Sequence, residues 1–570
     1  MLDIVIKNGL IVDGTGAPGQ RGDIGILDGR IVEIGTITDE ARKVIDADGM
    51  VVAPGLIDLH THYDPHVLWD PYVTPSSLHG VTTVIGGNCG FTLAPIDESA
   101  AKYLIPMLAR VEGMPLDSLE LAVDVQWSSF GEFLSHLDNR LAINVGFLVG
   151  HSTVRRLVMA EDATKREATD DEIAQMEALV DRSLSEGALG FSSSWGSTHY
   201  DHLGDPVPSR WGSAEELFAL CRRVKEHPGT TVEFIPPRAD SFDESTYELL
   251  TAMSLESDRP VNWNLLRARS DETSIASMNA KLGASDHAGA AGARVVPLTL
   301  PEPFRMRVNF SSGFLYDSLP GWMPVMSLPL PDRLRAFADP TVRANLKAAV
   351  DPSHAVWTDW PALRIENVVD PRLSELVGQT VGEVARSRGV EPFDALLDVV
   401  IADGGLTVFE APVMDDDDAS WKLRAELVRD PRVVIGGSDA GAHLDMVMTF
   451  ACHTRFLAEM VRKRELLTLE EAIRLITDVP AQFYGLRDRG RLVEGYFADV
   501  VVFDLSEVGP GVVELRFDLP GGGARLYSES TGIAHVIING VNVVEAGAHT
   551  GALGGAVLRS GKDTATVNAR

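Results

Sequence analysis

The sequence predicts an α/β protein, a (β/α)8 TIM-like barrel joined to a small β-sandwich domain that is built from both ends of the chain. Through the middle of the chain, short apolar runs alternate with helical stretches, as parallel strands do when helices bury both faces of their sheet. Both ends instead show period-two alternation with Asn-Gly and Asp-Gly pairs, which is typical of hairpins. We therefore expect residues 1–52 and 490–570 to form the small β domain and residues 53–489 to form the barrel.

Eight apolar runs account for the strands of the predicted barrel. Helical stretches separate several of them, for example at 170–187 and 213–227, where apolar residues recur at three- and four-residue spacing. The repeated order of strand, helix and strand is the sequence pattern of this barrel. The runs lie at 50–62, 81–89, 142–151, 187–194, 230–236, 260–266, 293–300 and 432–439.

The segment 301–430 is too long to be a single connection between the seventh and eighth strands. It is rich in aromatic residues and prolines. An insertion at this point of a barrel lies over the end where catalytic residues gather. We expect a lid that covers the substrate; an extra packing layer is the alternative.

Composition excludes several classes of function. The net charge of −32 over 570 residues repels nucleic-acid phosphates and anionic lipid surfaces, so we expect a small-molecule substrate and neither nucleic acid nor membrane as a partner. The start of the chain lacks the features of a signal peptide, and no run of 18 apolar residues occurs. Because only three scattered cysteines are present, we expect a reducing, cytoplasmic location.

The stretch "GLIDLHTHYD" places two histidines one residue apart at the end of the first predicted strand. In an extended strand, residues two apart point to the same side, so His60 and His62 share a face. Both imidazoles can then reach one metal ion, and this donor pair suits zinc. Ordinary hydrogen-bonded histidines are the alternative.

The stretch "VVIGGSDAGAHLD" places Asp439 at the end of the eighth predicted strand. The eighth and first strands of a closed barrel are neighbours, so Asp439 should face the same point as His60 and His62. A carboxylate there can bind the metal and accept a proton from a metal-bound water. Alternatively, Asp439 caps a helix that begins near His443.

Polar side chains also end other predicted strands. Cys89 in "GGNCG" is either a zinc ligand or a small apolar core residue. His151 in "LVGHSTVRR" is a candidate substrate-contacting or supporting group, and Glu233 is a candidate metal ligand. A buried, hydrogen-bonded structural role is the alternative for His151.

Six stretches together resemble a known family. Their pattern is similar to the amidohydrolase superfamily, specifically to its N-acyl-D-amino-acid deacylase (D-aminoacylase) branch. The resemblance implies a metal-dependent (β/α)8 barrel with a small β-sandwich, and hydrolysis of amide or related bonds with one or two zinc ions. It also implies that His60, His62 and Cys89 bind metal and that Asp439 binds metal and acts as base. The stretches are "VVAPGLIDLHTHYD", "GVTTVIGGNCG", "LVGHSTVRRLVM", "EGALGFSSS", "GSDAGAH" and "GRLVEGYFADVVVFD".

The chain departs from that branch on the fifth and sixth strands. The branch carries a metal-binding histidine on each, whereas this chain reads "TVEFIPP" and "PVNWNLLR". Glu233 is a candidate replacement on the fifth strand, although Phe234 could equally occupy the position of the lost histidine. The lysine that helps hold the substrate carboxylate in the branch is missing, and Arg267 is a candidate replacement.

The leading hypothesis is a hydrolase of amide bonds in N-acyl amino acids or related compounds that uses a metal-activated water. Asp439 would act as base, with His151 or His443 orienting the substrate or the developing oxyanion. One zinc ion is favoured over two, and we expect a homo-oligomer. Two alternatives remain: a metal-dependent hydrolase of ester or carbon–carbon bonds, and a catalytically eroded relative that serves as a binding scaffold or subunit.

Overall fold

A computed structural model describes residues 1–237, 241–311, 315–316, 319–350 and 356–570. Its strands, in chain order, are β1 (Leu2–Ile11), β2 (Gln20–Leu27), β3 (Arg30–Gly35), β4 (Ala41–Asp46), β5 (Val51–Pro54), β6 (Leu56–Asp58), β7 (Val81–Gly86), β8 (Asn144–Phe147), β9 (Val149–Gly150), β10 (Gly190–Ser194), β11 (Thr231–Ile235), β12 (Val261–Leu266), β13 (Val295–Thr299), β14 (Arg307–Val308), β15 (Arg364–Asn367), β16 (Val408–Glu410), β17 (Val434–Ile435), β18 (Val500–Phe503), β19 (Gly509–Pro510), β20 (Glu514–Arg516), β21 (Arg525–Tyr527), β22 (Ser530–Thr531), β23 (Ile533–Ile538), β24 (Val541–Glu545) and β25 (Ala548–His549).

Most α-helices lie between or after the buried parallel strands. Those predicted at 170–187 and 213–227 form as α5 and α6, and Thr169 and Ser213 cap their first turns by accepting backbone N–H groups. The helices are α1 (Glu98–Val111), α2 (Leu116–Ala122), α3 (Phe130–Leu137), α4 (His151–Met159), α5 (Asp170–Ser185), α6 (Ala214–Glu226), α7 (Glu244–Ser257), α8 (Glu272–Ala290), α9 (Met323–Met326), α10 (Leu330–Ala338), α11 (Pro340–Ala348), α12 (Val381–Arg388), α13 (Pro392–Ala402), α14 (Asp418–Arg429), α15 (Cys452–Phe456), α16 (Leu469–Ile476) and α17 (Asp478–Tyr484).

Strands from both ends of the chain pair in one sheet. Its order is β25-β24-β23-β18-β5-β1-β2-β3, and β4 also pairs with β1. Asp28-Gly29 and Asn539-Gly540 join neighbouring antiparallel strands with positive φ at both positions, which fits the predicted tight turns. Asn8-Gly9 makes no hairpin: it lies inside β1, where the register with β2 shifts and the strand continues. The hairpin expected at that pair is therefore wrong, because the pair forms a bulge.

Each of the eight apolar runs predicted as barrel strands contains a strand, but these strands do not form one closed sheet. Parallel strands β6-β7-β8 make one sheet, and β17-β13-β12-β11-β10-β9 make another. Leu148 alone separates β8 from β9, and a parallel bridge joins Thr61, beyond β6, to Ala440, beyond β17. The structure therefore shows a mixed α/β fold in which the carboxyl ends of the first and eighth strands are neighbours.

Gly55 lies where the chain passes from the terminal sheet into the first parallel strand. A Cβ at this position would lie 2.1 Å from the Thr82 side chain, so only glycine fits this close approach. The amide of Gly55 donates to the carbonyl of Asp499, the residue directly before β18. This hydrogen bond connects the start of β6, and so the histidines that follow β6, to the terminal sheet.

The described part of segment 301–430 has its own small sheet, β14-β16-β15, and its own apolar core. The rings of Phe310, Tyr316 and Trp322 stack there, with Trp360 beside them. Residues 312–314, 317–318 and 351–355 of this segment lie outside the described residues. Among the described residues, no helix is both long and apolar enough to cross a lipid bilayer.

Candidate metal centre

Four predicted site residues converge beyond the ends of three neighbouring strands. His60 and His62 follow β6, Cys89 lies in the short 3-10 turn Asn88–Gly90 after β7, and Asp439 follows β17. The amide of Asp439 donates to the carbonyl of His60 at 3.1 Å, and the amide of His62 donates to the carbonyl of Ala440. These backbone bonds place Asp439 beside the histidine pair, as the sequence predicts.

The Nε2 atoms of both histidines face the same two partners. Cys89 Sγ lies 3.4 Å from His60 Nε2 and 3.8 Å from His62 Nε2. Asp439 Oδ1 lies 3.2 Å from His60 Nε2 and 3.9 Å from His62 Nε2. A tetrahedral zinc ion with bonds of ~2.0–2.3 Å separates its ligand atoms by about 3.3–3.6 Å. The two spacings to His60 Nε2 lie within about 0.1 Å of this range, and the two to His62 Nε2 are about 0.2–0.3 Å longer.

The Nδ1 atoms face a different pair of groups, both buried carboxyls. Glu233 Oε1 lies 3.9 Å from His60 Nδ1, and Glu112 Oε1 lies 3.5 Å from His62 Nδ1. The other oxygen of Glu233 accepts the backbone N–H of Cys89 at 2.9 Å. The structure thus places Glu233 behind His60, on the side away from the Nε2 atoms where Cys89 and Asp439 lie.

Burial dominates the electrostatics of this cluster. It lowers the pKa of His60 to about 3 and the pKa of His62 well below its usual value, so both imidazoles are neutral near pH 7. Burial also raises the pKa of the Cys89 thiol, and the surrounding carboxyls raise it further. The pKa of Asp439 rises to about 7 through burial, with a further upward contribution from the charge of Asp58.

The donor set fits a zinc-like ion. Neutral imidazoles, a thiolate and a carboxylate are the ligand types that zinc prefers, and the ligand atoms of His60, His62 and Cys89 all lie within 4.8 Å of one another. A bound cation would also stabilise the charged forms of the buried carboxyls, which otherwise raise one another's pKa. Among the described residues, His60 Nδ1 and Glu233 Oε1 have no hydrogen-bond partner, so part of the surrounding polar shell is left unsatisfied in the protein alone.

Three residues at this centre hold a left-handed backbone. Cys89, Asp439 and His443 have φ values of 58°, 52° and 49°. This region is uncommon for residues other than glycine and costs on the order of 1 kcal/mol or more each. Asp439 is further fixed by Asn264, which donates to its Oδ1 at 3.0 Å. No helix begins within 440–448, so Asp439 does not serve as the helix cap considered above.

A cavity of about 850 Å³ opens over the cluster. Cys89, Asp439 and His443 form part of its wall beside His62, and Arg267, the predicted substrate-binding residue, also lies in its wall. Two further cations, Arg269 and Lys281, line it as well. Apolar side chains complete the wall, namely Ile235, Phe242, Trp263, Leu266, Met278 and Phe304.

His151 is not brought to this cavity. It begins α4 and is fully buried, its Nδ1 lies 2.8 Å from the Ser193 hydroxyl, and its Nε2 lies 2.5 Å from Glu216. Glu216 also pairs with the buried Arg155. Both ring nitrogens of His151 are therefore engaged inside the fold, as in the structural alternative considered for it.

Two further residues of the site, Glu112 and His199, are not marked by any sequence pattern. Glu112 follows α1, on a connection rather than on a strand end, so no strand pattern marks it. His199 lies after β10 and lines the cavity, and its Nδ1 is 2.7 Å from the Ser194 hydroxyl. Its charge contributes to lowering the pKa of both His60 and His62, which places it near them.

Comparison with known proteins supplies a family context for this geometry. A model of the amidohydrolase family matches residues 43–544. The chain is similar to a D-aminoacylase of Alcaligenes xylosoxydans xylosoxydans, at 28% identity over 98% of this chain and 97% of that protein. It is also similar to the N-acyl-D-aspartate deacylase of the same organism, at 29% identity over 96% and 93% of the two chains.

Solved structures agree with these relatives. A D-aminoacylase studied for its binuclear metal centre, with one-metal activation and second-metal attenuation, has a TM-score of 0.65 and 27% identity, covering 98% of this chain and all of that one. The N-acyl-D-glutamate deacylase from Bordetella bronchiseptica, in complex with zinc and a phosphonate mimic of the tetrahedral intermediate, has a TM-score of 0.65 and 26% identity, covering 98% of this chain and 100% of that one.

Proposed function

The chain belongs to the amidohydrolase family, and on that premise we propose that it is a metal-dependent hydrolase of the amide bond of N-acyl amino acids, with the D enantiomers as substrates. The observation that carries this proposal is the convergence of His60, His62, Cys89 and Asp439 beside a cavity whose wall contains the last three of them and three cationic side chains. The relatives named D-aminoacylase and N-acyl-D-aspartate deacylase support the substrate class and the chirality.

We propose a single zinc ion held by His60, His62 and Cys89, with Asp439 at its edge. When bound, such an ion supplies a Lewis acid and lowers the pKa of a water molecule toward neutrality. Neutral Nε2 atoms are required for this binding, and burial keeps both imidazoles neutral down to mildly acidic pH. The thiol of Cys89 must lose its proton on binding, so its raised pKa makes metal affinity fall at low pH.

Asp439 is the proposed base. Burial raises the pKa of this carboxyl, and a bound cation would lower it again, so the carboxylate can accept a proton from the attacking water and return it to the leaving nitrogen at neutral pH. Asn264 holds Oδ1 in place, so the orientation of the carboxylate is fixed before substrate binds. Burial lowers the pKa of His443 to about 4, so at pH 7 we assign it as a neutral group that contacts the developing oxyanion.

The cationic wall is proposed to bind the substrate carboxylate. Arg267 lies 3.6 Å from Asp415, which also accepts from Arg424 at 3.1 Å, so one carboxylate is shared between two guanidinium groups. The cavity wall thus carries three cationic side chains in a protein that is strongly acidic overall. One of them, Arg269, pairs with Asp271 at 2.7 Å and so contributes less positive charge to the wall.

We propose the same domain division as the sequence predicts, with the two parallel sheets together forming the (β/α)8 barrel of residues 53–489. Residues 1–52 and 490–570 would form the small β domain, and 301–430 the lid. Phe304, at the start of this segment, lies in the cavity wall, which supports a covering role. The described cysteines are all free, which is consistent with a cytoplasmic enzyme, and we expect a homo-oligomer.

The direct test is a substrate panel with matched enantiomers. Purified protein is assayed for release of free amino acid from N-acetyl-D- and N-acetyl-L-amino acids and from dipeptides, before and after removal of metal by a chelator. We expect hydrolysis of D substrates that is lost on chelation and restored by zinc. Metal-bound, folded protein that cleaves no N-acyl amino acid would overturn the proposal, and protein that binds no metal would favour the scaffold alternative.

A further inference from the structure

Two buried carboxyls lie on the outer sides of the paired histidines, at matching positions. Glu233 is fully buried and Glu112 is 3% exposed, and each faces one imidazole across its Nδ1 atom. The Nε2 atoms of His60 and His62 face Cys89 Sγ and Asp439 Oδ1 instead. Each imidazole therefore has its Nε2 atom toward Cys89 and Asp439 and its Nδ1 atom toward a buried glutamate.

We infer that Glu112 and Glu233 are positioning residues that fix the metal-binding orientation of His62 and His60, and that Glu233 is not itself a ligand. The inference rests on the proposed function, since it takes the Nε2 atoms as the metal ligands. A neutral imidazole that binds metal through Nε2 carries its one proton on Nδ1. That N–H then needs an acceptor, and a buried carboxyl is the usual partner.

The separations of 3.5 and 3.9 Å place each carboxyl next to its ring, although they are longer than a hydrogen bond. Among the described residues, His60 Nδ1 and Glu233 Oε1 both lack a hydrogen-bond partner, so each is the available partner of the other. A movement of about 1 Å by the Glu233 side chain completes the bond.

Glu233 holds a second ligand at the same time. Its Oε2 accepts the backbone N–H of Cys89, whose left-handed backbone at φ 58° needs such support. Glu233 therefore connects two of the proposed ligands, His60 and Cys89, from the fifth strand.

Glu112 reaches His62 from the other direction. It directly follows α1, and its carbonyl accepts the backbone N–H of His443, which also lines the cavity. Glu112 therefore connects the histidine ligand to a segment that contacts substrate in the proposed function. The two carboxyls come from different elements, so each can be tested separately.

The test measures metal affinity rather than turnover. Glu112→Gln and Glu233→Gln keep the size of the side chain and remove its charge, and Asp201→Asn is the control. Asp201 is 1% exposed, accepts from the Tyr103 hydroxyl at 2.8 Å and is not part of the cavity wall. Zn²⁺ and Co²⁺ dissociation constants are determined for wild type and the three variants by competition with a chromophoric chelator, and visible spectra are recorded for the Co²⁺ forms.

We expect one ion per chain in every protein, with the dissociation constants of both glutamate variants weakened by about 10- to 100-fold and that of the control unchanged. The Co²⁺ band positions should stay those of wild type, because the ligands are unaltered. Unchanged affinity in both variants would overturn the inference. A changed Co²⁺ spectrum in Glu233→Gln would also overturn it, because it would make Glu233 a direct ligand.

Failure of the proposed function gives a different result. In that case, wild-type protein itself binds no stoichiometric Zn²⁺ or Co²⁺, whatever the variants do. If Glu233→Gln does not fold, as judged by circular dichroism, Glu112→Gln still decides the matter, because Glu112 has no bond to the strained Cys89 turn. An active, metal-binding wild type with insensitive variants refutes the positioning role alone.

Discussion

Replacing His151 by alanine is expected to lower the free energy of unfolding by ~3–5 kcal/mol while leaving kcat/KM within about threefold of wild type. The sequence predicts a catalytic contribution from this histidine, whereas its surroundings in the structure favour a structural one. The ring is fully buried and lies 2.8 Å from the Ser193 hydroxyl and 2.5 Å from Glu216. The two interpretations predict opposite results.

The magnitude follows from what the ring contacts. Its bond to the Glu216 carboxylate involves a charged group and contributes ~1.5–3 kcal/mol. Its loss leaves Ser193 without that partner, at a cost of ~1–3 kcal/mol, and opens a cavity beside Phe191, 5.5 Å from the ring. Glu216 keeps its pairing with Arg155, so the carboxylate itself is not left without a cation.

Urea denaturation and initial rates on the same preparation separate the outcomes. His443→Asn is the matched control, because asparagine tolerates the left-handed backbone at this position and the cavity wall loses its imidazole. It should lower kcat/KM by at least about 10-fold with a stability change below ~1 kcal/mol. A 100-fold loss of activity in His151→Ala at unchanged stability would refute the structural role.

Three further outcomes follow from the same geometry. Asp439→Asn should lower kcat by about 10²- to 10⁴-fold in steady-state assays, because the proposed base is removed; activity within threefold of wild type would exclude that role. Arg267→Ala should raise KM by about 10-fold with little change in kcat, whereas an equal loss with uncharged amide substrates would argue against carboxylate binding. His66 is buried with a pKa lowered to about 3, and both ring nitrogens lack hydrogen-bond partners among the described residues. Below pH ~6.5 the unfolded chain binds a proton that folded His66 does not, so stability is lost as pH falls; at pH 5.5 this amounts to ~1.4 kcal/mol. His66→Phe should remove that loss in denaturation curves at pH 7.5 and 5.5, and an identical pH dependence in wild type and variant would contradict it.

The strands and helices of the two parallel sheets were predictable because their periodicity is strong. Each predicted strand run contains a strand, and the helices at 170–187 and 213–227 form with capping residues readable in the sequence. Alternation alone could not separate a hairpin from a bulge at Asn8-Gly9, because both need a residue with positive φ. Tertiary pairing with β2 and β4 decides that the strand continues.

The metal side of the site was predictable, and its supporting side was not. His60, His62, Cys89 and Asp439 end adjacent strands, so their meeting follows from strand order. Glu233 could approach His60 from either side of its ring. The direction of the Glu233 side chain decides between the two, and residue spacing in the sequence does not encode that direction. Glu112 and His199 lie on connections rather than on strand ends, so only packing of the chain brings them to the cavity.

The central claim is that the paired histidines hold a metal on which hydrolysis depends. Metal content and D-aminoacylase activity are measured on the same samples of wild type and the His60→Ala, His62→Ala double variant, each with folding checked by circular dichroism. We expect one zinc ion per folded wild-type chain, none in the double variant, and loss of hydrolysis together with the ion. A double variant that keeps stoichiometric zinc, or that hydrolyses N-acyl-D-amino acids without it, would contradict the account.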